Sequence, residues 1–375
     1  MLVAAALVES SGCAARRSVP AKTSAETNVI YATPTVITPD DTADRRTEFE
    51  RARRLLVAGS AEQAARLFDA IAREDPSGPL AAPSLFNAGI GWEGAGRRDV
   101  ALQRFDDAVA RFGPTETGRS SMVRAARLLA FFEQWSRLSA MADLLLARKD
   151  LTDIERLAAL GAKALAVVEV GDPDAARPFI SKGRDIMDAM RLGEGGQLPI
   201  EAAQLMFALG EARRIESERI IFVPLPAAFA DVLERRCRGL LDAQSALSDA
   251  MRSYDPHWAA MSGYRVGDLY RRLHDDLLAI VPPRAADTTE KKRLFQGAMR
   301  LRYRVLLEKG LAMMEHTVLL GERMQQSSAW IERARAAKND IERALQREKE
   351  LIATLPYSEK DLESALRDLS KRPFK

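Results

Sequence analysis

The chain has 375 residues, 47% hydrophobic, 29% charged and 6% aromatic, long enough to bury a sizeable core and weighted towards Ala, Leu, Arg and Glu, which favour helices over strands. Its 56 basic and 53 acidic residues leave a net charge of +3, too weak a field for a nucleic-acid binder, which needs a concentrated basic face. Arginine runs such as Arg51, Arg53 and Arg54, or Arg300, Arg302 and Arg304, read as solvated helix faces.

Met1 to Val8 is an apolar run, too short for the roughly 20 residues that span a bilayer, and Ser10, Ser11, Gly12 and Cys13 follow it. It reads as an export signal over residues 1–12, not a membrane helix. Small residues directly before a cysteine resemble the lipobox of bacterial lipoproteins, although Ser10 stands where Leu is usual and no Lys or Arg precedes the run. The resemblance implies that Cys13 is lipidated and, with Ala14 rather than Asp next, that the protein is delivered to the periplasmic face of the outer membrane. A cytoplasmic protein with an Ala-rich N-terminus stays open as the alternative. Residues 13–44 are rich in Ser, Thr, Pro and Asp without apolar periodicity, so they form a tether that cannot bury enough surface to order itself. Its end-to-end distance would be on the order of 30 Å, and about 100 Å when stretched.

Residues 45–222 read as helical hairpins. In residues 83–113, small Ala88 and Gly89 let a first helix approach its partner, Leu85 and Trp92 fill the same face, and Gly96 breaks the helix. Ala101, Phe105 and Ala108 then return the chain, and Pro114 ends the unit. Spacings of three, four and seven residues put these side chains on one stripe. The preceding segment offers Ala52, Leu55, Ala64, Phe68 and Ile71, but has Glu48 where a large apolar residue is usual. Both segments resemble the tetratricopeptide repeat (TPR), a helical hairpin of roughly 34 residues that stacks on its neighbours because it cannot bury its apolar face alone. Weaker units follow at Ala159, Ala162, Ala166, Ala175 and Phe179, and at Trp258, Gly263, Val266, Gly267 and Tyr270.

After residue 222 the helices lengthen: Phe229–Tyr254 and Thr288–Gln326 each read as one helix, and the charged stretch 329–355 as a terminal helix with a wet outer face. The region 223–375 is therefore a long-helix C-terminal half. Within it Asp255, Pro256, Trp258, Gly263, Tyr264, Arg265, Gly267, Leu269, Tyr270, Leu277, Pro282 and Pro283 resemble a segment of myxobacterial envelope repeat proteins, some tied to gliding motility.

Chemistry is sparse. His257, His274 and His316 lie far apart in sequence and none sits in a metal-ligand pattern. Gly193, Gly195 and Gly196 form a turn without the Lys-Ser or Lys-Thr of a phosphate loop. Ser120 and Ser121 lack the setting of a nucleophile. With Cys13 committed to lipid, Cys237 has no disulfide partner and reads as a packed thiol. No catalytic residue, metal site or cofactor is expected.

The resulting expectation is an all-α fold, a right-handed superhelix of TPR-like hairpins (an α-solenoid) followed by longer C-terminal helices. Its function would be a lipid-anchored periplasmic scaffold that binds a protein or peptide partner in a cell-envelope assembly, with no nucleic acid and no small-molecule substrate. The groove wall would be lined by Arg53, Leu56, Phe86, Asn87, Ile90 and Glu93, with Phe86 and Ile90 holding an apolar partner segment and Asn87 its backbone. Packing of these residues against a neighbouring helix is the competing reading. A cytosolic regulatory adaptor and, more remotely, an enzyme using the groove also stay open.

Overall fold

The computed structural model describes residues 42–284, 286–324 and 328–371. The export signal, Cys13 and the tether as far as residue 41 lie outside them. Among the described residues there are fourteen α-helices and no strand, and no helix is long and apolar enough to cross a membrane. The chain divides into two compact units at 166/167.

The first unit holds α1 (Thr42–Val57), α2 (Ala61–Glu74), α3 (Ala81–Gly94), α4 (Arg98–Phe112), α5 (Glu116–Phe131), α6 (Trp135–Leu146) and most of α7 (Asp153–Glu169). From α1 to α6 each helix packs on the next, and α3 also meets α5. The hairpins α1/α2, α3/α4 and α5/α6 turn at Gly59, Gly96 and Glu133, which have φ of +83°, +78° and +56°. These positions recur every 37 residues. Each turn closes in the same way: Ser60, Arg97 and Gln134 donate their N–H to the carbonyls of Leu55, Trp92 and Leu129, satisfying carbonyls that the helix end leaves open.

The same 37-residue period sets the interior. Phe49 meets Phe68 edge to face at 5.2 Å, and Phe86 meets Phe105 at 5.9 Å. Phe49, next to Glu48, thus supplies the bulk that the first hairpin needs, while Glu48 is exposed. In the third hairpin the sizes are redistributed: Ala126 and Ala142 replace Gly89 and Phe105, and Leu138 replaces Ala101, all of them buried. Between hairpins, Ala72, Leu85 and Ala108 form a small apolar cluster with Phe112 against it. Buried Asp69 on α2 accepts hydrogen bonds from Trp92 Nε1 on α3 at 2.9 Å and Arg104 Nε on α4 at 2.6 Å, locking three helices through one carboxylate.

The second unit holds the end of α7, then α8 (Pro173–Ala189), α9 (Ile200–Glu218), α10 (Phe229–Met251), α11 (Pro256–Leu278), α12 (Thr289–Arg323), α13 (Ala329–Ala353) and α14 (Glu359–Lys371). Side chains cap several starts: Asp172, Asp255, Thr288 and Ser328 accept from backbone N–H groups of the first turn, and Pro173 and Pro256 open α8 and α11. The helices α9 and α10 pack along each other, as do α11 and α12, while α13 covers α12 with Ala334, Ile341 and Leu345 against Leu307, Met314 and Val318. At the α11/α12 crossing a Cβ on Gly267 would lie 3.1 Å from the Gly310 carbonyl oxygen, and one on Gly310 would lie 3.1 Å from that of Gly267. The two backbones touch because neither residue has a side chain.

The compact units part inside α7, while α9 packs along α10 across residue 222. Two expectations are corrected. On α8 the buried face is Ala176, Ile180 and Gly183, one residue after the expected stripe, which leaves Ala175 exposed and Phe179 half-buried. α1 begins at Thr42, so residues 42–44, expected in the tether, are helical.

Candidate partner-binding surface

The residues expected to pack the second hairpin, Leu85, Ala88, Gly89, Trp92, Ala101, Phe105 and Ala108, are all buried. A Cβ on Gly89 would stand 2.5 Å from Phe105 Cε1, so the glycine is what allows the ring to lie against α3.

The expected groove is a different matter. Phe86 and Ile90 are 2% and 7% exposed and Asn87 is fully buried. Phe86 packs on Phe105, and α3 is enclosed by α2, α4 and α5. These three residues therefore belong to the interior and cannot receive a partner. Arg53 and Leu56 on α1 are half-buried, with Arg53 bonded to Glu50. Glu93 is half-buried and reaches Arg127 at 2.8 Å and Arg124 at 3.4 Å on α5. Burial opposes ionisation of Glu93, but the charges of Arg127 and Arg124 outweigh it and hold its carboxyl below the usual range.

The same face is less enclosed one hairpin further on. Val123, Arg124 and Arg127 on α5 stand 37 residues after Phe86, Asn87 and Ile90, and all three are partly exposed, the Arg124 and Arg127 side chains at 16% and 22%. Phe131, which follows on the same stripe, is half-exposed, with the Arg98 guanidinium 4.6 Å from its ring centroid. This face joins an apolar strip, Val123 and Phe131, to three arginines and one carboxylate. It can take an apolar side chain beside an acidic one. The residues were detectable by carrying the 37-residue offset forward from α3.

Three successive hairpins with one turn geometry and one interior register decide the architecture. The chain is an all-α protein of TPR-like helical hairpins. No protein-family model and no curated protein matches it. Among solved structures it is similar to two structures of the kinesin light chain nearly identical TPR-like repeats from Podosopora anserina, one of them a point variant, at 16% and 17% identity over 56% and 55% of this chain and 100% and 99% of those, with TM-scores of 0.38 and 0.37. A tetratricopeptide repeat protein from Parabacteroides merdae is 13% identical over 77% of this chain and 98% of its own, with a TM-score of 0.41. At these scores the architecture rests on the chain's own helix packing.

The second unit holds a chain of ion pairs that no sequence pattern signalled. Arg265 on α11 bonds Glu169 at 3.2 Å and lies 3.2 Å from Glu211, Arg214 joins Glu211 to Glu218, and Asp268 holds Arg271 and Arg272 at 2.6 Å each. The Arg265 guanidinium also lies 5.1 Å from the centroid of the Trp330 ring on α13. Burial, reinforced by the neighbouring Glu211, raises the Glu169 carboxyl against the pull of Arg265. Because the charged members come from three helices and are balanced in sign, the chain acts as an internal brace. The segment 255–283 likewise serves packing, with Trp258, Gly263, Gly267, Tyr270 and Leu277 buried on α11.

Other candidate chemistry is accounted for locally. The Ser121 hydroxyl donates to the Thr117 carbonyl within α5, and Arg252 donates to the carbonyls of Gly193 and Gly196. His274 lies beside Asp275 at 3.3 Å, and among the described residues no His, Cys, Asp and Glu group is arranged to hold a metal ion. Cys237 is buried, and burial pushes its thiol up to about 11.

Proposed function

We propose that this protein is a scaffold that binds a protein partner through the open face of α5 and is held at a membrane by lipid on Cys13. The observation that carries the binding role is the contrast within one register: Phe86, Asn87 and Ile90 are enclosed, whereas Val123, Arg124, Arg127 and Phe131 reach solvent. The partner segment that suits them is short, apolar and acidic. Binding, not catalysis, is the activity this surface supports.

The lipid anchor and the periplasmic face of the outer membrane rest on the order Ser11, Gly12, Cys13 and Ala14. The partner is then a component of a cell-envelope assembly, and the resemblance over 255–283 points to one connected with motility. Acyl chains stabilise membrane attachment by about 0.8 kcal/mol per buried methylene, far more than a polar tether contributes. Cys13→Ser should therefore move the protein from the membrane to the soluble fraction, and globomycin should leave the unprocessed form. Unchanged fractionation with no lipid mass on the N-terminal peptide would favour the cytosolic adaptor.

A further inference from the structure

The longest helix, α12, buries one face against α11, α13 and α14 and leaves another open with an ordered pattern. Val305, Ala312 and Leu319 lie at successive seven-residue intervals on it and are all exposed, Val305 by 40% and Leu319 by 46%. Glu308, Glu315 and Glu322 run along one side of this strip at the same interval, and Lys309, His316 and Arg323 along the other. The margins are set by the neighbours: Glu315 lies within electrostatic reach of Lys338 on α13, and Lys309 lies over Tyr270 on α11. A seven-residue repeat keeps such rows facing one partner helix along their length.

We propose that this face pairs with the same face of a second copy of the chain, with the two α12 helices parallel. The charge rows select both partner and direction. A two-fold axis parallel to α12 brings the acidic row of each copy against the basic row of the other, twice over, whereas an antiparallel pair sets acid against acid and base against base. The apolar strips meet between the rows.

The test uses the full chain. Val305→Cys and Leu319→Cys, made separately at exposed positions, should each crosslink to itself on mild oxidation, because parallel pairing sets each position opposite its own copy; buried Cys237 does not compete. Sedimentation should show a dimer that Val305→Glu with Leu319→Glu converts to monomer with far-ultraviolet helicity unchanged. Glu308→Lys with Glu322→Lys should weaken the dimer by about tenfold or more at low salt, and adding Lys309→Glu with Arg323→Glu should restore it. Crosslinking only between a mixture of the two cysteine variants would show an antiparallel pair and overturn the proposal. A wild-type monomer throughout, or a dimer indifferent to the two glutamates, would overturn it as well.

Discussion

Gly89 of α3 and Phe105 of α4 occupy one volume: a Cβ on the glycine would fall 2.5 Å from the ring's Cε1. The ring is fully buried and cannot swing away. Gly89→Ala should therefore destabilise the protein by about 1–3 kcal/mol through overpacking, despite alanine's better helix propensity of about 1 kcal/mol. Phe105→Ala should cost about 3–5 kcal/mol. Chemical denaturation of both variants checks the pair.

Glu133 carries a φ of +56° where the two earlier hairpins place glycine. A left-handed conformation costs a residue with a side chain about 1–2 kcal/mol, partly offset by the greater freedom glycine has when unfolded. Glu133→Gly should raise stability by about 0.5–1 kcal/mol. The reciprocal change Gly96→Glu should lower it, and thermal melts of the two should move in opposite directions.

Glu93 gives a pH signature. Its folded carboxyl lies below the unfolded value of 4.5, so its contribution is present above that value and is lost as pH falls through the folded one. Glu93→Gln should cost about 1–3 kcal/mol at neutral pH by replacing the carboxylate that Arg124 and Arg127 share with a neutral amide. Wild type and variant should converge in stability once the pH drops below the folded value.

The Cys237 thiol, buried and pushed up to about 11, should resist a thiol reagent in the folded protein and react once denaturant is added. Rapid native labelling would mean that α10 opens on the timescale of the reagent.

The second hairpin was legible in the sequence because Gly89, Trp92, Ala101 and Phe105 keep a conventional order of sizes, and local spacing alone puts them on one stripe. The third was not, because Ala126, Leu138 and Ala142 fill the same interior with the sizes exchanged, and only total volume is constrained there. The first hairpin's bulk comes from Phe49, one residue beyond where the pattern placed it. The burial of Phe86, Asn87 and Ile90, the competing reading of these residues, was not legible: enclosure of α3 depends on α5 packing beside it, which no periodicity within α3 reveals. The pairing of Arg265 with Glu169, 96 residues away, is tertiary in the same sense; each member alone reads as a solvated helix face.

The central claim, that partners bind on the open face of α5, is tested most directly by site-specific photo-crosslinking in the native host. A photoreactive residue at Val123 or Phe131 should give one discrete adduct, lost when Arg124→Glu and Arg127→Glu are added in the same chain. The same probe at Leu144, 54% exposed on α6, should give none. Adducts at position 144 with none at 123 or 131 would contradict the claim.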